Sequence, residues 1–214
     1  MGISALQQTD RHMNLRNLAL PVFAAVFGTA DAQVAVNPQI GANFTRLTNT
    51  PSDIVSSASF GWQLGADFRL GDRLYFQPGA FFGRSATVIK FTPLDTSFIE
   101  DNLIRTTAKV KALLGYNLIH GDAFRLRVNA GPTYEALLSV DSKDDKIAFN
   151  KSDYNGGSFN LDAGLGFDVA FLTLETGVSY GLSNAYKDEG KFLSESKYFT
   201  WYATLGFVIG GKPK

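Results

Sequence analysis

The sequence predicts an all-β fold, an eight-stranded antiparallel up-and-down transmembrane β-barrel of the small outer-membrane type. Three observations favour it. Long segments alternate apolar and polar residues with a period of two, the connections between them alternate between short and long, and twelve of the 21 glycines lie in strands on the polar face. These twelve are Gly41, Gly61, Gly65, Gly79, Gly83, Gly115, Gly131, Gly164, Gly166, Gly177, Gly181 and Gly206.

The composition excludes several classes of protein. The 214 residues carry 20 basic and 20 acidic side chains, and this neutrality argues against a nucleic-acid binder, which needs a surplus of Lys and Arg. The absence of cysteine excludes disulfide frameworks, thiolate metal sites and cysteine nucleophiles. No segment is apolar over the roughly 18 residues that a membrane helix requires, but strands cross a bilayer with a weaker hydropathy signal.

The first 32 residues are expected to direct export. Residues 13–32 combine basic Arg16, an apolar run over 18–27 and small residues at Ala30 and Ala32. This pattern is typical of a secretory signal peptide cleaved after Ala32, with Met13 as the start and 1–12 as an upstream extension. The alternative is a buried helix or a short anchor. We therefore expect residues 33–214 to form the barrel domain.

Eight segments are expected to be strands. In residues 59–70, for example, Phe60, Trp62 and Leu64 fall on one face and Gly61, Gln63 and Gly65 on the other, whereas a helix would mix the two sets. Such segments are longer than the usual strands of soluble proteins and long enough to cross a bilayer at a tilt. The eight lie near 34–46, 59–70, 74–91, 104–118, 124–140, 159–169, 172–183 and 198–209.

The connections place the two ends of the barrel. Tight turns are expected at 70–73, 119–122 and 170–171, and long polar loops at 47–57, 92–103, 141–157 and 184–197. Outer-membrane barrels show this asymmetry, with short periplasmic turns and long external loops. The turns and the first and last strand ends would therefore lie on the periplasmic side.

The glycines and the apolar face decide which face meets lipid. An eight-stranded barrel is barely wide enough for side chains, so small residues belong inside it, whereas glycine on a solvated face would only weaken a strand. The apolar face is rich in Phe, Leu, Val, Trp and Tyr, as a hydrocarbon neighbour requires. We expect lipid outside; the alternative is a soluble lipocalin-like carrier with the apolar face inward.

The polar face would then place eleven charges in the lumen. Because unpaired charges are costly in a narrow, poorly hydrated space, we expect a plug of ion pairs, with the basic residues of the fourth and fifth strands facing acids of the sixth and seventh. The alternative is an anion path along the basic strip. The eleven are Asp67, Arg69, Arg105, Lys109, Lys111, Arg125, Arg127, Glu135, Asp162, Asp168 and Glu175.

The strand sequences resemble the PorT-like outer-membrane β-barrel family of Bacteroidota over about 34–209. The matching stretches include GWQLGADFRLGDRLYFQPGAFF, AKVKALLGYNL, FRLRVNAGPTYEALLS with its Gly131-Pro132 step, FNLDAGLGFDV and LETGVSYGLSNAY. The resemblance implies an eight-stranded outer-membrane barrel, in some members an accessory of protein secretion and gliding. Family members commonly end on an aromatic residue, whereas here a Gly-Gly-Lys-Pro-Lys tail ends the sequence.

The sequence offers no catalytic, cofactor-binding or metal-binding constellation. His120, the single histidine after residue 32, falls in a predicted periplasmic turn, away from the external rim where a barrel enzyme would need it. The favoured function is a non-enzymatic outer-membrane barrel with a structural, adhesive or secretion-accessory role. Its neighbours would be outer-membrane lipid and protein partners at loops 141–157 and 184–197, with no nucleic acid. The alternatives are a narrow pore or small-ligand carrier that uses the basic strip, and a lipid-modifying or proteolytic barrel enzyme.

Overall fold

A computed structural model describes residues 34–51, 54–91, 99–121, 123–144, 147, 149–187 and 195–210. The expected signal peptide and the last four residues lie outside the described residues. Within these ranges one short helix, the 3-10 turn Lys151–Asp153, accompanies the strands. No helix among the described residues is long and apolar enough to cross a membrane.

Eight antiparallel strands form a closed ring in chain order, which confirms the predicted fold. The ring closes where the first strand pairs with both the second and the eighth, and a two-residue ninth strand continues the eighth beside the first. The strands are β1 Val34–Thr48, β2 Ile54–Gly71, β3 Leu74–Phe91, β4 Ile99–His120, β5 Phe124–Ser142, β6 Gly157–Val169, β7 Leu172–Gly181, β8 Lys197–Phe207 and β9 Ile209–Gly210.

The strands are staggered around the ring. Following the paired residues from Val34 through the eight strands returns to β1 at Phe44, ten residues further along. A stagger of this kind tilts barrel strands by roughly 35–45° from the axis. Each step from one strand to the next, taken in chain order, therefore brings the paired residue slightly closer to the long-loop end.

The apolar face of the strands is outermost. Ile40, Leu114 and Phe159 are each about 60% exposed, whereas Asn37, Asp67 and Gln77 between the apolar positions are fully buried. Burial alternates in this way along β1, β4 and β6. The polar face lines the inside, and the outside presents the apolar side chains that a bilayer requires.

Several strands are longer than their sequence patterns predicted. β2 begins at Ile54 and β4 at Ile99, inside segments that were expected to be loops, and β5 continues to Ser142. β7 ends at Gly181, two residues early, and Val208 interrupts the last strand by donating its backbone N–H to the Phe171 carbonyl. The long-loop ends of β2 to β5 thus project further than those of β6 to β8.

Candidate functional site: the lumen and its outer cap

A group of ion pairs near the turn end centres on Arg127, which is fully buried. Its Nη1 lies 2.5 Å from Oε2 of Glu175, and its Nε lies 3.4 Å from Oδ1 of Asp168. Arg69 reaches the other oxygen of Asp168 at 2.7 Å, from β2 to β6 on the opposite side of the ring. Strand alternation turns all four side chains inward, so they meet across the narrow lumen.

Lys111 of β4 joins this group to Asp67 of β2. Its Nζ lies 3.1 Å from Asp67 and 3.6 Å from Glu175. Asp67 also accepts hydrogen bonds from the side-chain amides of Gln39 at 2.6 Å and Gln77 at 2.7 Å. Its buried carboxylate therefore has both a cation and neutral donors, the condition under which a buried charge is tolerated.

A second, smaller group lies further toward the loops. Lys109 Nζ stands 3.2 Å from Glu135 and 3.8 Å from Asp162. Asp162 also accepts a hydrogen bond from the Thr133 hydroxyl at 3.1 Å. The two groups together bring nine of the eleven expected lumen charges into ion pairs: Asp67, Arg69, Lys109, Lys111, Arg127, Glu135, Asp162, Asp168 and Glu175.

The remaining two arginines have no carboxylate partner among the described residues. Arg105 is buried with its guanidinium over the Tyr198 ring, 3.3 Å from the centroid, and donates to the Ser85 hydroxyl. Arg125 is half-buried and lines a cavity of about 20 Å³ at the turn end. The paired network thus involves fewer of the basic residues than their positions on the polar face suggested.

Apolar and aromatic side chains also fill the lumen, where charged and other polar residues and glycines are expected from the sequence. Tyr75, Phe81, Leu113 and Tyr202 are buried on the inward face, and Lys111 Nζ lies 4.5 Å from the Phe81 ring centroid. The signal for Leu113 was present, because it shares its parity along β4 with Lys109 and Lys111. These groups take up space that a water-filled pore would need.

Small cavities lie along the lumen, three of them between residues that the structure describes. They measure about 20 Å³ beside Arg125, about 20 Å³ beside Lys109 and about 10 Å³ beside Arg105. Each has room for about one water molecule. The volumes fit a plugged barrel better than an anion path.

An apolar cluster covers the long-loop end, where the sequence pattern predicted polar loops. The rings of loop residues Tyr154 and Tyr186 pack against each other at a tilt of 36°, with centroids 4.5 Å apart, and the Tyr186 hydroxyl donates to that of Tyr154 at 3.2 Å. Burial raises the pKa of both hydroxyls. We call the cluster the outer cap: Leu47, Ile54, Ile89, Leu103, Leu137, Tyr154, Ala185, Tyr186 and Tyr198.

Hydrogen bonds tie the loops of the outer cap together. The Asn155 amide donates to the backbone oxygens of Asn184 at 2.8 Å and Tyr186 at 3.0 Å, joining the β5–β6 and β7–β8 loops. Asp101 at the outer end of β4 accepts from the backbone N–H of Ile147 and the hydroxyl of Ser142. The cap is therefore a packed structure, in which hydrogen bonds join residues from three of the predicted external loops, 92–103, 141–157 and 184–197.

His120 lies at the turn end of β4, where Nε2 is 3.2 Å from Oδ1 of Asp72. This position is at the opposite end of the barrel from the outer cap. Among the described residues, no three His, Cys, Asp or Glu side chains stand in an arrangement that could hold a metal ion.

Comparisons with known proteins agree with the barrel geometry. A family model described as "Outer membrane protein beta-barrel domain" matches residues 8–187. The outer membrane protein OprG from Pseudomonas aeruginosa is 14% identical with a TM-score of 0.50, covering 83% of this chain and 95% of that chain. An identity this low shows likeness of fold alone.

Two further solved structures are similar at lower scores. Neisserial surface protein A is 13% identical, with a TM-score of 0.47 and coverage of 81% of this chain and 97% of that chain. Ail, the attachment invasion locus protein of Yersinia pestis, is 12% identical, with a TM-score of 0.40 and coverage of 84% and 100%. No curated protein sequence is a significant match to this chain.

Proposed function

Because the chain belongs to the outer membrane protein beta-barrel domain family, we propose that it is a non-enzymatic barrel that keeps its lumen closed and works through its external loops. The family indicates the bacterial outer membrane as its location. The observation that carries the proposal is the filled lumen: buried ion pairs around Arg127 and Lys109 below, and the apolar outer cap above.

The role of the loops is structural, adhesive or secretion-accessory, with contacts in 141–157 and 184–197. Among these three, the resemblance to PorT-like barrels supports a secretion accessory, and we propose membership of that narrower family on the quoted strand motifs. The Asn155 bonds that join these loops support a single, ordered partner surface rather than two independent loops.

The first test measures the cellular location of the protein and whether it folds into a closed barrel. We expect the expressed protein in the outer-membrane fraction, with a band in detergent whose gel mobility changes on boiling, because closed barrels resist unfolding by detergent alone. A soluble periplasmic protein without a mobility shift would contradict the proposal and favour a carrier with aromatic residues inside.

Conductance in planar bilayers separates the closed barrel from the pore alternative. We expect no steady current from the folded protein, because paired charges and apolar side chains occupy the lumen. Steady anion-selective current would instead support a pore that uses the basic strip. Turnover of lipid or peptide that is lost on substituting Asp, Ser or Glu of the external loops would support an enzyme.

A further inference from the structure

The outward face repeats one arrangement on three strands near the long-loop end. An outward aromatic residue is followed, two residues closer to the loops, by an outward basic residue: Phe44 and Arg46 on β1, Phe82 and Arg84 on β3, and Phe199 and Lys197 on β8. Arg46 and Arg84 are exposed, and Lys197 is half-exposed. Because side chains alternate along a strand, each pair shares the lipid-facing side.

These pairs mark the outer edge of the hydrocarbon region. Aromatic residues collect at membrane interfaces, and long basic side chains just beyond them extend their charges to the head groups. An outward arginine in the middle of the bilayer would be costly for a barrel, whereas near the interface the cost is small. Arg84 pairs across the sheet with Trp62, which belongs to the same interfacial level.

Three strands on the other side of the barrel have no basic residue at the corresponding position. Two residues beyond the outward aromatic residue, β5 has Ala136, β6 has Gly157 and the chain after β7 has Leu182. Among the described residues of β1, β2, β3 and β8, no acidic side chain faces outward. β8, β1, β2 and β3 are neighbours in the ring, so the three cations span about 14 Å at the usual strand spacing.

An aromatic floor lies directly below the cations. Phe44 contacts Trp201 with ring centroids 5.5 Å apart and Phe60 at 5.9 Å, and Trp62 contacts Phe82 at 5.9 Å. β2 runs between the strands of Arg46 and Arg84, and it has a β-bulge between Ser59 and Trp62. On the loop side of this bulge, the exposed residues Ser57 and Ala58 are both small. The cations of the neighbouring strands therefore border short side chains on β2 and lie above an apolar base.

We infer that Arg46, Arg84 and Lys197 form a binding site for the phosphate groups of an outer-leaflet glycolipid, whose acyl chains lie on the aromatic floor. Arginine binds phosphate with two parallel hydrogen bonds, and lysine adds a point charge. The width across four strands suits a head group with more than one phosphate better than a single-phosphate lipid. The inference rests on the proposed outer-membrane location.

The test is lipid retention by the folded barrel in nonionic detergent, measured by native mass spectrometry. The probes are bisphosphorylated lipid A, the same lipid without its phosphates, and phosphatidylglycerol. We expect the natural sequence to retain the bisphosphorylated lipid in preference to both others, and Arg46→Gln/Arg84→Gln to bind it about tenfold more weakly, the scale of a lost charge-assisted contact.

The matched control is Lys90→Gln. Lys90 also faces outward on β3, but it lies six residues beyond Arg84 and pairs with Glu100 at 2.7 Å, so its loss should leave retention unchanged. Equal retention by the double variant, or equal retention of the dephosphorylated lipid, would overturn the site. Preference for phosphatidylglycerol would overturn the glycolipid assignment.

Folding is checked in parallel by the boiling-dependent gel shift. If the glutamine variant does not fold, Arg46→Lys/Arg84→Lys replaces it, because this variant keeps both charges. The presence of the site is then decided by whether the natural barrel retains the phosphorylated lipid in preference to the dephosphorylated one. A barrel that folds in lipid but ignores phosphate refutes this inference alone. A chain that forms no barrel refutes the proposed function.

Discussion

Arg127 shows how tightly single residues are constrained inside this barrel. Its guanidinium has no exposure to solvent and serves two acids, Glu175 and Asp168, while its Nη2 donates to the Thr173 hydroxyl at 3.0 Å. Removing one partner of a buried ion pair leaves the other charged and desolvated, which is strongly destabilising. Replacing both partners by apolar residues of similar volume changes the stability much less.

Arg127→Met should therefore lower the free energy of unfolding by about 3–5 kcal/mol. Arg125→Met on the same strand should lower it by less than about 1 kcal/mol, because Arg125 is half-buried and has no carboxylate partner among the described residues. Urea unfolding in lipid vesicles, followed by tryptophan fluorescence, measures both. Equal losses would show that the Arg127 pairs do not stabilise the fold.

Glycine is required on β4 beside the buried Tyr75 ring. A Cβ on Gly115 would overlap the Tyr75 ring, so Gly115→Ala should destabilise the barrel by about 1–3 kcal/mol, the cost of overpacking. Gly156 lies in a loop with nothing within 4 Å of such a Cβ, and Gly156→Ala should be neutral. The same urea unfolding experiment compares the two, and a tolerated Gly115→Ala would mean that the Tyr75 ring moves aside.

For single residues, the sequence predicts which face of the sheet a side chain occupies but not which side chain it contacts. Alternation indicates that Arg69 and Asp168 share the inward face, and the structure places both there. Their contact depends on the ten-residue stagger, which brings residues of β2 and β6 to one height, and no local pattern encodes it. Arg105 shows the same limit, because its partner is the Tyr198 ring rather than an acid.

At the long-loop end, the strands continue into segments whose sequence no longer alternates between apolar and polar residues. Residues Glu100, Asp101 and Asn102 interrupt the alternation and suggested a loop, yet they pair with Lys90, Ile89 and Val88 of β3. Outside the bilayer a strand needs only its backbone partners, so its outer face can be polar. The sequence pattern therefore reports where the hydrocarbon ends rather than where the strand ends.

The outer cap is expected to loosen at high pH. Tyrosine in an open, solvated loop ionises near pH 10, while burial raises the pKa of Tyr154 and Tyr186 in the closed cap. The closed state therefore keeps its full stability below about pH 10 and loses it as the pH rises further. We expect faster cleavage of the β5–β6 loop by an alkaline-tolerant protease at pH 11 than at pH 8.

The control for the outer cap is Tyr154→Phe/Tyr186→Phe, which keeps both rings and removes both ionisable hydroxyls. The extra cleavage at pH 11 should disappear in this variant. If it persists, another group controls the opening of the loops.

The whole molecule is expected to sit with both tryptophans near the outer edge of the bilayer. Trp62 and Trp201 are the two tryptophans of the chain, and both face outward beside the aromatic floor. Quenchers attached at different depths of the lipid should quench their fluorescence most strongly near the head groups. Stronger quenching from the bilayer centre would move the membrane along the barrel and remove the interfacial position of Arg84.

The closure of the ring between β1 and β8 has a consequence for chain connectivity. Ala35 pairs with Gly210 and Gln39 with Gly206, so the beginning of the first strand and the end of the last strand are direct neighbours at the turn end. A short linker between them, with the chain opened instead at Ala170 and Phe171, would give a circular permutant that keeps every strand pair. Because the ring is closed, every strand has a hydrogen-bonded neighbour on each side, and the pairing does not define a first or a last strand. We therefore expect the same barrel to form when the strands are synthesised in the permuted order.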